Sequence, residues 1–110
     1  MDRYQSVVKA ITDFNAARDW GQFHQPKDVS MAIAIEASEL MQVFLWKKEL
    51  GKSDIPRISE EIGDIGIFLT TLSNRLGLDL LDCMEAKIRL NEQKYPVEKS
   101  RGSAKKYNEL

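Results

Sequence analysis

Two pairs of acidic residues stand in apolar surroundings in the middle of the chain. Glu36 and Glu39 are three residues apart in a stretch rich in Ile, Ala, Leu and Met, and Glu61 and Asp64 repeat this spacing further along. On a helix this spacing places each pair on one face, with Cβ atoms about 5–6 Å apart. Carboxylates buried side by side are unfavourable unless a cation meets them. We therefore expect these four acids to share one cation.

The type of cation follows from the available ligands. The nearest basic residues, Lys47, Lys48 and Arg57, lie toward the ends of the predicted helices, away from the acids. Carboxylates without a set of His or Cys ligands favour Mg²⁺ or Mn²⁺ over Zn²⁺. A ferritin-like di-metal bundle needs Glu-x-x-His on two helices, and the one histidine, His24, lies in a predicted loop. The pattern predicts a Mg²⁺ or Mn²⁺ site between two helices, with a solvated acidic face as the alternative.

Four segments have the apolar periodicity of helices, and no segment is typical of a strand. The predicted helices run from Asp2 to about Arg18, from the N-cap Asp28 through Glu49, from Ser53 or Asp54 to Gly77, and from the N-cap Asp79 to Tyr95, before Pro96. These boundaries predict an all-α, four-helix bundle over residues 1–96. Residues 97–110 are polar and basic, and we expect them to form a flexible tail or an arm.

The two middle helices are apolar on nearly every side. Met31 to Trp46 and Ile62 to Leu72 carry apolar residues all round the helix, apart from the acids. A helix without a polar face has to be buried on every side, and a 110-residue chain with four helices cannot easily surround two of them. We expect a dimer or a dimer of dimers, with a tightly wrapped monomeric bundle as the alternative.

Composition and charge exclude several classes of protein. The chain is 43% hydrophobic and 30% charged, and its net charge of -1 lacks the basic excess of a general nucleic-acid binder. The lone Cys83 cannot form an internal disulfide, which fits a reducing compartment. Neither a signal peptide nor the ~20 apolar residues of a membrane helix are visible. We expect a cytoplasmic protein that binds neither nucleic acid nor membrane.

Blocks of residues across nearly the whole chain resemble one family. The blocks are Arg18-Asp19-Trp20-x-Gln22-Phe23-His24-x-Pro26, Glu36-x-x-Glu39-Leu40 followed by Trp46, Glu60-Glu61-x-x-Asp64, Lys87-x-x-x-Asn91-x-x-Lys94-Tyr95-Pro96, Ser100-Arg101-Gly102-Ser103 and Lys106-Tyr107. In order and spacing they resemble the MazG-like, all-α nucleoside triphosphate pyrophosphohydrolases, most of all the dCTP pyrophosphatase branch. The resemblance implies a Mg²⁺-dependent enzyme that splits a deoxynucleoside triphosphate, with dCTP favoured, into monophosphate and pyrophosphate, and so cleans the nucleotide pool.

The resemblance also implies roles for individual residues. The four acids would hold the metal ions that bind the triphosphate, Trp20 and Trp46 would sandwich the base, and the lysines would meet the phosphates. The residues implied to contact the nucleotide are Trp20, Phe23, His24, Trp46, Phe68, Lys87, Asn91, Lys94 and Lys106. Phe68 stands where this branch commonly has Tyr, so one hydroxyl is missing from the pocket.

Three functions remain open from the sequence. The first is this pyrophosphohydrolase, and the second is a related all-α enzyme that acts on dUTP or a modified nucleotide. The third is a non-enzymatic helical module whose acids bind a basic partner. Buried acid pairs disfavour the third, because charges that bind a partner protein usually lie on an exposed rim. The group that acts as general base stays open.

Overall fold

The structure is a computed structural model that describes all residues from Met1 to Leu110. Its four long helices are α1 (Arg3–Ala17), α2 (Pro26–Phe44), α3 (Asp54–Arg75) and α4 (Leu80–Lys94). A short helix, α5 (Val97–Ser100), and two 3₁₀ turns, η1 (Trp20–Phe23) and η2 (Tyr107–Glu109), complete the chain, which contains no strand. The predicted all-α class with four main helices is confirmed. None of these helices is both long enough and apolar enough to cross a membrane.

Local signals in the sequence set most of the helix ends. Asp2 accepts a hydrogen bond from the Gln5 N–H at 2.8 Å, and the Gln5 side chain accepts one from the Asp2 N–H at 3.0 Å, which forms a capping box. Asp79 caps α4 by accepting from the Asp82 N–H at 2.9 Å. Gly77, beyond the end of α3, has a φ of 69°, which glycine adopts without the steric cost of a Cβ. These ends agree with the predicted ones.

The start of α2 lies earlier than the sequence predicts. Gln25 is the N-cap, and Pro26 occupies the first turn, where its missing N–H costs no hydrogen bond. Asp28, the predicted N-cap, lies inside the first turn instead. Its negative charge there interacts favourably with the positive end of the helix dipole.

The end of α2 also differs from the prediction, which extended it through Glu49. The helix ends at Phe44, Leu45 leaves the helical region with φ -58° and ψ 128°, and Trp46 has a φ of 65°. The prediction is wrong because the side chain of Asp54, at the start of α3, binds the turn between the two helices. This contact outweighs the helix propensity of the residues between.

The chain forms two compact units, Met1–Leu78 and Asp79–Leu110. In the first, α2 packs mainly against α3, and α1 packs against α3 and η1. The buried apolar residues of this unit are Ile11, Val29 and Val43. The residues that follow Pro96 belong to the second unit together with α4.

The end of the chain has local structure of its own inside the second unit. Residues 97–110 contain α5 and η2. The Tyr107 ring packs edge-on against Tyr95, with ring centroids 6.2 Å apart, and the Lys94 ammonium lies 4.8 Å from the centroid of the Tyr107 ring. These contacts anchor the last residues to the end of α4.

Large apolar side chains on α2 and α3 stay exposed in the single chain. They are Met31, Ile35, Met41 and Phe44 on α2, and Ile55, Ile62 and Ile67 on α3. Within α2, only Val29 and Val43 are buried. The complete burial expected for these two helices is therefore not reached within one chain.

Candidate functional site

Carboxylates from α2 and α3 converge between the two helices. Glu36 and Glu39 project from α2 and Glu61 from α3, and each offers an oxygen that lies within 4.8 Å of those of the other two. Glu36 and Glu61 are half-buried, whereas Glu39 is exposed. The spacing of three residues brings Glu36 and Glu39 to one face of α2, and the packing of α3 against that face brings Glu61 opposite them.

Two oxygens of this cluster lack a hydrogen-bond donor. Glu36 Oε2 and Glu61 Oε2 are both buried and both without a partner. A buried polar atom without a partner is costly and calls for an ion, a water or a ligand. Basic side chains do not supply it, since the two ion pairs of the structure join Lys9 to Asp13 and Lys47 to Asp54. Three converging oxygen ligands with unused lone pairs fit a divalent cation.

The protonation of Glu36 reflects the same crowding. Burial raises the pKa of Glu36 to about 7, helped by hydrogen bonding of the protonated group to Glu39 and Glu61 and by the charges of Glu39 and Asp64. Without a cation, the cluster therefore holds a proton at close to neutral pH. A bound cation would favour the ionised carboxylate and displace that proton.

Asp64, the fourth predicted ligand, lies at the margin of the cluster. It is one turn beyond Glu61 on α3 and is exposed. Its carboxylate is not among the three that lie within 4.8 Å of one another, although its charge acts on Glu36. The structure thus brings three of the four predicted acids into close contact, with Asp64 beside them.

The first predicted aromatic group lies on η1, between α1 and α2. Trp20 packs edge-on against Phe14 and His24, with ring centroids 5.6 Å and 6.5 Å away. Asp19, just before Trp20, has the left-handed φ of 53°. The Gln22 side chain donates to the Asp19 carbonyl at 2.9 Å and to its carboxylate at 3.2 Å. These bonds fix the turn that presents Trp20, which is partly exposed, as is the neighbouring Phe23.

Two cavities open beside these rings. One, of about 250 Å³, lies among α1, η1 and the end of α3, and His24 contributes to its wall together with Asn15, Asn74 and Arg75. The other, of about 280 Å³, is apolar, and its lining consists of Val7, Ala10, Ile11, Phe14 and Ile67. Sequence reasoning did not single out Asn15, Asn74 or Arg75, because only the packing of α1 on α3 brings them together.

Trp46, the second predicted base-stacking residue, lies at the other end of α2. It is 93% exposed and adjoins Lys47, whose ammonium binds Asp54 at the start of α3. Trp20 contacts Phe14, which shares a cavity with Ile67 of α3. Asp54 is thus the α3 residue near Trp46, and Ile67 is the α3 residue near Trp20. These two α3 residues are about 20 Å apart along the helix, at ~1.5 Å per residue. The two tryptophans of one chain are therefore near opposite ends of the α2–α3 pair.

The remaining predicted contact residues lie on α3 and in the second unit. Phe68 is half-buried on α3, one turn after Asp64 and on the same helix face. In the second unit, Lys87, Asn91 and Lys94 are exposed on one face of α4, and Lys106 directly precedes η2.

Comparisons with known proteins point to one family. A model of the MazG-like family matches residues 31–110. Over 96% of this chain, dCTP pyrophosphatase 1 of Mus musculus is 41% identical, that of Bos taurus 42% and that of Homo sapiens 37%. The chain spans about two thirds of the length of these curated relatives, from 66% to 67%.

A solved structure has the same arrangement of helices. A pyrophosphatase from Archaeoglobus fulgidus superposes with a TM-score of 0.78 and is 26% identical, and the match covers 87% of this chain and 94% of that protein. The family model covers most of the chain, and the relatives match nearly all of it. The chain belongs to the MazG-like family.

Proposed function

We propose that this protein is a Mg²⁺-dependent pyrophosphohydrolase that cleaves a deoxynucleoside triphosphate, with dCTP favoured, into the monophosphate and pyrophosphate. The observation that carries the proposal is the carboxylate cluster of Glu36, Glu39 and Glu61, with its two buried, unpartnered oxygens. Relatives named dCTP pyrophosphatase 1, at 37–42% identity, support the substrate class. The role would be house-cleaning of the nucleotide pool.

The acids would act as the metal ligands. Glu36, Glu39 and Glu61 would hold the metal, and Asp64, whose charge acts on Glu36, would complete the ligand set. When bound, Mg²⁺ or Mn²⁺ neutralises charge on the phosphate oxygens and lowers the pKa of a water molecule. The chain itself contributes the fixed, partly buried position of its carboxylates, which orients the triphosphate chain relative to the base pocket.

The nucleoside end of the substrate would lie against the aromatic group on η1. Trp20 offers a partly exposed ring, and stacking of a base on such a ring is worth about 1–3 kcal/mol. Phe23 and His24 flank it, and Phe68 is on the acid-bearing helix. By the resemblance to the family, Lys87, Asn91, Lys94 and Lys106 would supply polar and cationic contacts to the nucleotide.

The protein would work as a homo-oligomer, a dimer or a dimer of dimers. The exposed apolar residues of α2 and α3 form the surface that a second copy would cover. When two aromatic rings stack on opposite faces of the same base, each ring centroid is at most ~7 Å from the base centroid. The two rings then lie within about 14 Å of each other. The α3 residues near the two tryptophans of one chain, Asp54 and Ile67, are about 20 Å apart, so a base sandwich would combine Trp20 of one copy with Trp46 of another.

A second substrate remains a candidate because of one residue. Phe68 lacks the hydroxyl that the dCTP pyrophosphatase branch commonly places in its pocket, and the half-buried position of Phe68 beside the acid-bearing face makes that loss relevant to the base. A related activity on dUTP or on a modified pyrimidine nucleotide is therefore the alternative.

The test is pyrophosphate release from a panel of nucleotides. The panel contains the four common deoxynucleoside triphosphates, dUTP, 5-methyl-dCTP and the matching ribonucleotides, each with Mg²⁺, with Mn²⁺ and with EDTA. We expect metal-dependent release of pyrophosphate, fastest with dCTP, and none from the Glu61→Gln variant. Fastest release from dUTP or 5-methyl-dCTP would favour the alternative substrate. Absence of release from every nucleotide would overturn the enzymatic proposal.

A further inference from the structure

Asp54 is a buried acid that the carboxylate cluster does not use. It is the first residue of α3 and is only 6% exposed. Its carboxylate accepts hydrogen bonds from the Gly51 N–H, at 2.8 Å, and from the Lys47 ammonium. Its own N–H donates to the Gly51 carbonyl at 3.1 Å. Both carboxylate oxygens are thus paired, and together with the backbone hydrogen bond they fasten the turn to α3.

The same contacts keep Asp54 charged. The hydrogen bond from Lys47, and then the one from the Gly51 N–H, hold the pKa of this carboxyl below its usual range. The ion pair is thus present throughout the neutral range. It joins α3 to the residue that directly follows Trp46.

The residues directly before and after Trp46 are both held by backbone hydrogen bonds. The Leu45 N–H donates to the Gln42 carbonyl at 3.2 Å, and the Lys47 N–H donates to the Phe44 carbonyl at 3.1 Å. Lys47 is therefore held by its backbone and by its ammonium at once. The peptide group that joins Trp46 to Lys47 therefore has little freedom to rotate.

The conformation of Trp46 itself is unfavourable. Its φ of 65° lies in the left-handed region, which is disfavoured for a residue with a Cβ and most of all for a bulky one. Its ring is 93% exposed and gains nothing from burial in this chain. Backbone strain of this kind persists when the surroundings impose it, and it occurs at ligand-binding positions.

We propose that Asp54 is a positioning residue that, through Lys47 and Gly51, holds Trp46 away from the turn, ready to cover the base of a bound nucleotide. This inference rests on the proposed function in one respect, the contact between Trp46 and the base. A ring that is ordered before binding loses less conformational entropy when the nucleotide arrives. Asp54 therefore acts on substrate affinity without touching the substrate.

The first test concerns the position of Trp46 and requires no nucleotide. In a Trp20→Phe background, Trp46 is the only tryptophan, so time-resolved anisotropy of tryptophan fluorescence reports the motion of Trp46 alone. We expect Asp54→Asn and Lys47→Met each to increase the amplitude of fast Trp46 motion. Asp13→Asn, which breaks the exposed Lys9–Asp13 pair on α1, is the matched control and should leave that motion unchanged. Unchanged Trp46 motion in both turn variants, with folding verified by circular dichroism, overturns the positioning role.

The second test separates positioning from a general loss of stability. With both tryptophans present, Asp54→Asn should raise KM for the best deoxynucleotide roughly fivefold while kcat changes less than about twofold. Combined with Trp46→Ala, Asp54→Asn should have almost no further effect on KM, because the ring through which it acts is gone. Equal effects of Asp54→Asn in both backgrounds would mean a structural role only. If Trp46→Ala leaves KM unchanged, the base contact in the proposed function fails, and with it the purpose assigned to Asp54, whatever the anisotropy shows.

Discussion

Glu36 on α2 and Glu61 on α3 present their carboxylates to one another, and each keeps one buried oxygen without a hydrogen-bond donor. Burial, then hydrogen bonding to Glu39 and Glu61, then the nearby negative charges raise the pKa of Glu36 to about 7, so the metal-free cluster takes up a proton. The pair thus destabilises the metal-free fold near neutral pH and prepares it for a cation.

The stability of the metal-free protein should depend on pH through Glu36. Its pKa rises from 4.5 to about 7 on folding, so its contribution is complete below about pH 4.5 and is lost as the pH rises through 7. Asp54 has a lowered pKa and loses its contribution only below its ordinary value of 3.8, outside that window. We expect the melting temperature in EDTA to fall between about pH 5 and pH 8. The Glu36→Gln variant should show a flatter profile, and parallel profiles for the two proteins would contradict this.

Neutral substitutions in the cluster should separate activity from stability. Glu36→Gln, Glu39→Gln and Glu61→Gln each remove a ligand charge, so activity should fall more than about 100-fold. Each also relieves repulsion, so the free energy of unfolding without metal should hold or rise. Asp64→Asn should lose activity too, with the smallest gain in stability, because Asp64 is exposed at the margin of the cluster.

The control for these variants is Glu85→Gln, an exposed acid on α4, which should change neither property. Pyrophosphate release and chemical denaturation in EDTA supply the two measurements. Near-normal turnover in two or more of the cluster variants would show that these acids do not form a shared metal site.

Self-association should depend on the exposed apolar face of α2. Light scattering at low micromolar concentration should give the mass of a dimer or a larger oligomer. Met41→Glu places a charge on a side chain that is 66% exposed in one chain, and we expect it to shift the mass toward one chain and lower activity. Gln42→Glu adds the same charge at the next, already polar position and should do neither. A fully active wild-type protein with the mass of one chain would refute the oligomer.

Mixing a variant with a weakened base contact and a variant with a disrupted acid cluster, at a substrate concentration below KM, should show whether the base pocket is shared between copies. Trp46→Ala keeps the acids, and Glu61→Gln keeps Trp46. If Trp46 of one copy serves the acid cluster of another, mixed oligomers contain some complete sites, and activity should recover after subunit exchange. If labelled subunits exchange but the mixture does not regain activity, each site takes its acids and its tryptophans from a single chain.

Restoring a hydroxyl at position 68 should change the preference among bases. Phe68→Tyr adds one hydrogen-bonding group to a half-buried position on the acid-bearing helix. One hydrogen bond is worth about 0.5–1.5 kcal/mol, so kcat/KM for dCTP relative to dUTP should rise by roughly two- to tenfold. The expected selectivity change is checked by competition between the two nucleotides, with Phe68→Leu as the control for packing. An unchanged ratio in Phe68→Tyr would remove Phe68 from the base pocket.

Most helix ends follow from local chemistry and could be predicted from the sequence. Asp2 and Asp79 cap helices with their own side chains, and Gly77 takes the left-handed position that ends α3. The end of α2 could not be predicted in this way. Leu, Lys and Glu continue the sequence past Phe44 with good helix propensity, and only Asp54, further along the chain, ends the helix.

The candidate site shows the same division between local and tertiary causes. The spacing of three residues predicts that Glu36 and Glu39 share a face, which they do. Two residues at that spacing differ by about 60° around the helix axis, at 3.6 residues per turn. The rotation of α3 against α2 therefore decides whether Glu61, Asp64 or both reach the cluster, and this rotation depends on packing that no local pattern encodes.

The left-handed backbone at Trp46 bears on how the chain would respond to selection. Glycine or asparagine adopts a φ of 65° at less cost than tryptophan, and either would remove an exposed ring from the surface. Selection for thermal stability alone would thus favour the loss of Trp46, whereas selection for turnover would retain it. The proposed contact of Trp46 with the base would thus come at the expense of thermal stability, and a thermostable variant that keeps Trp46 would have gained its stability at other positions.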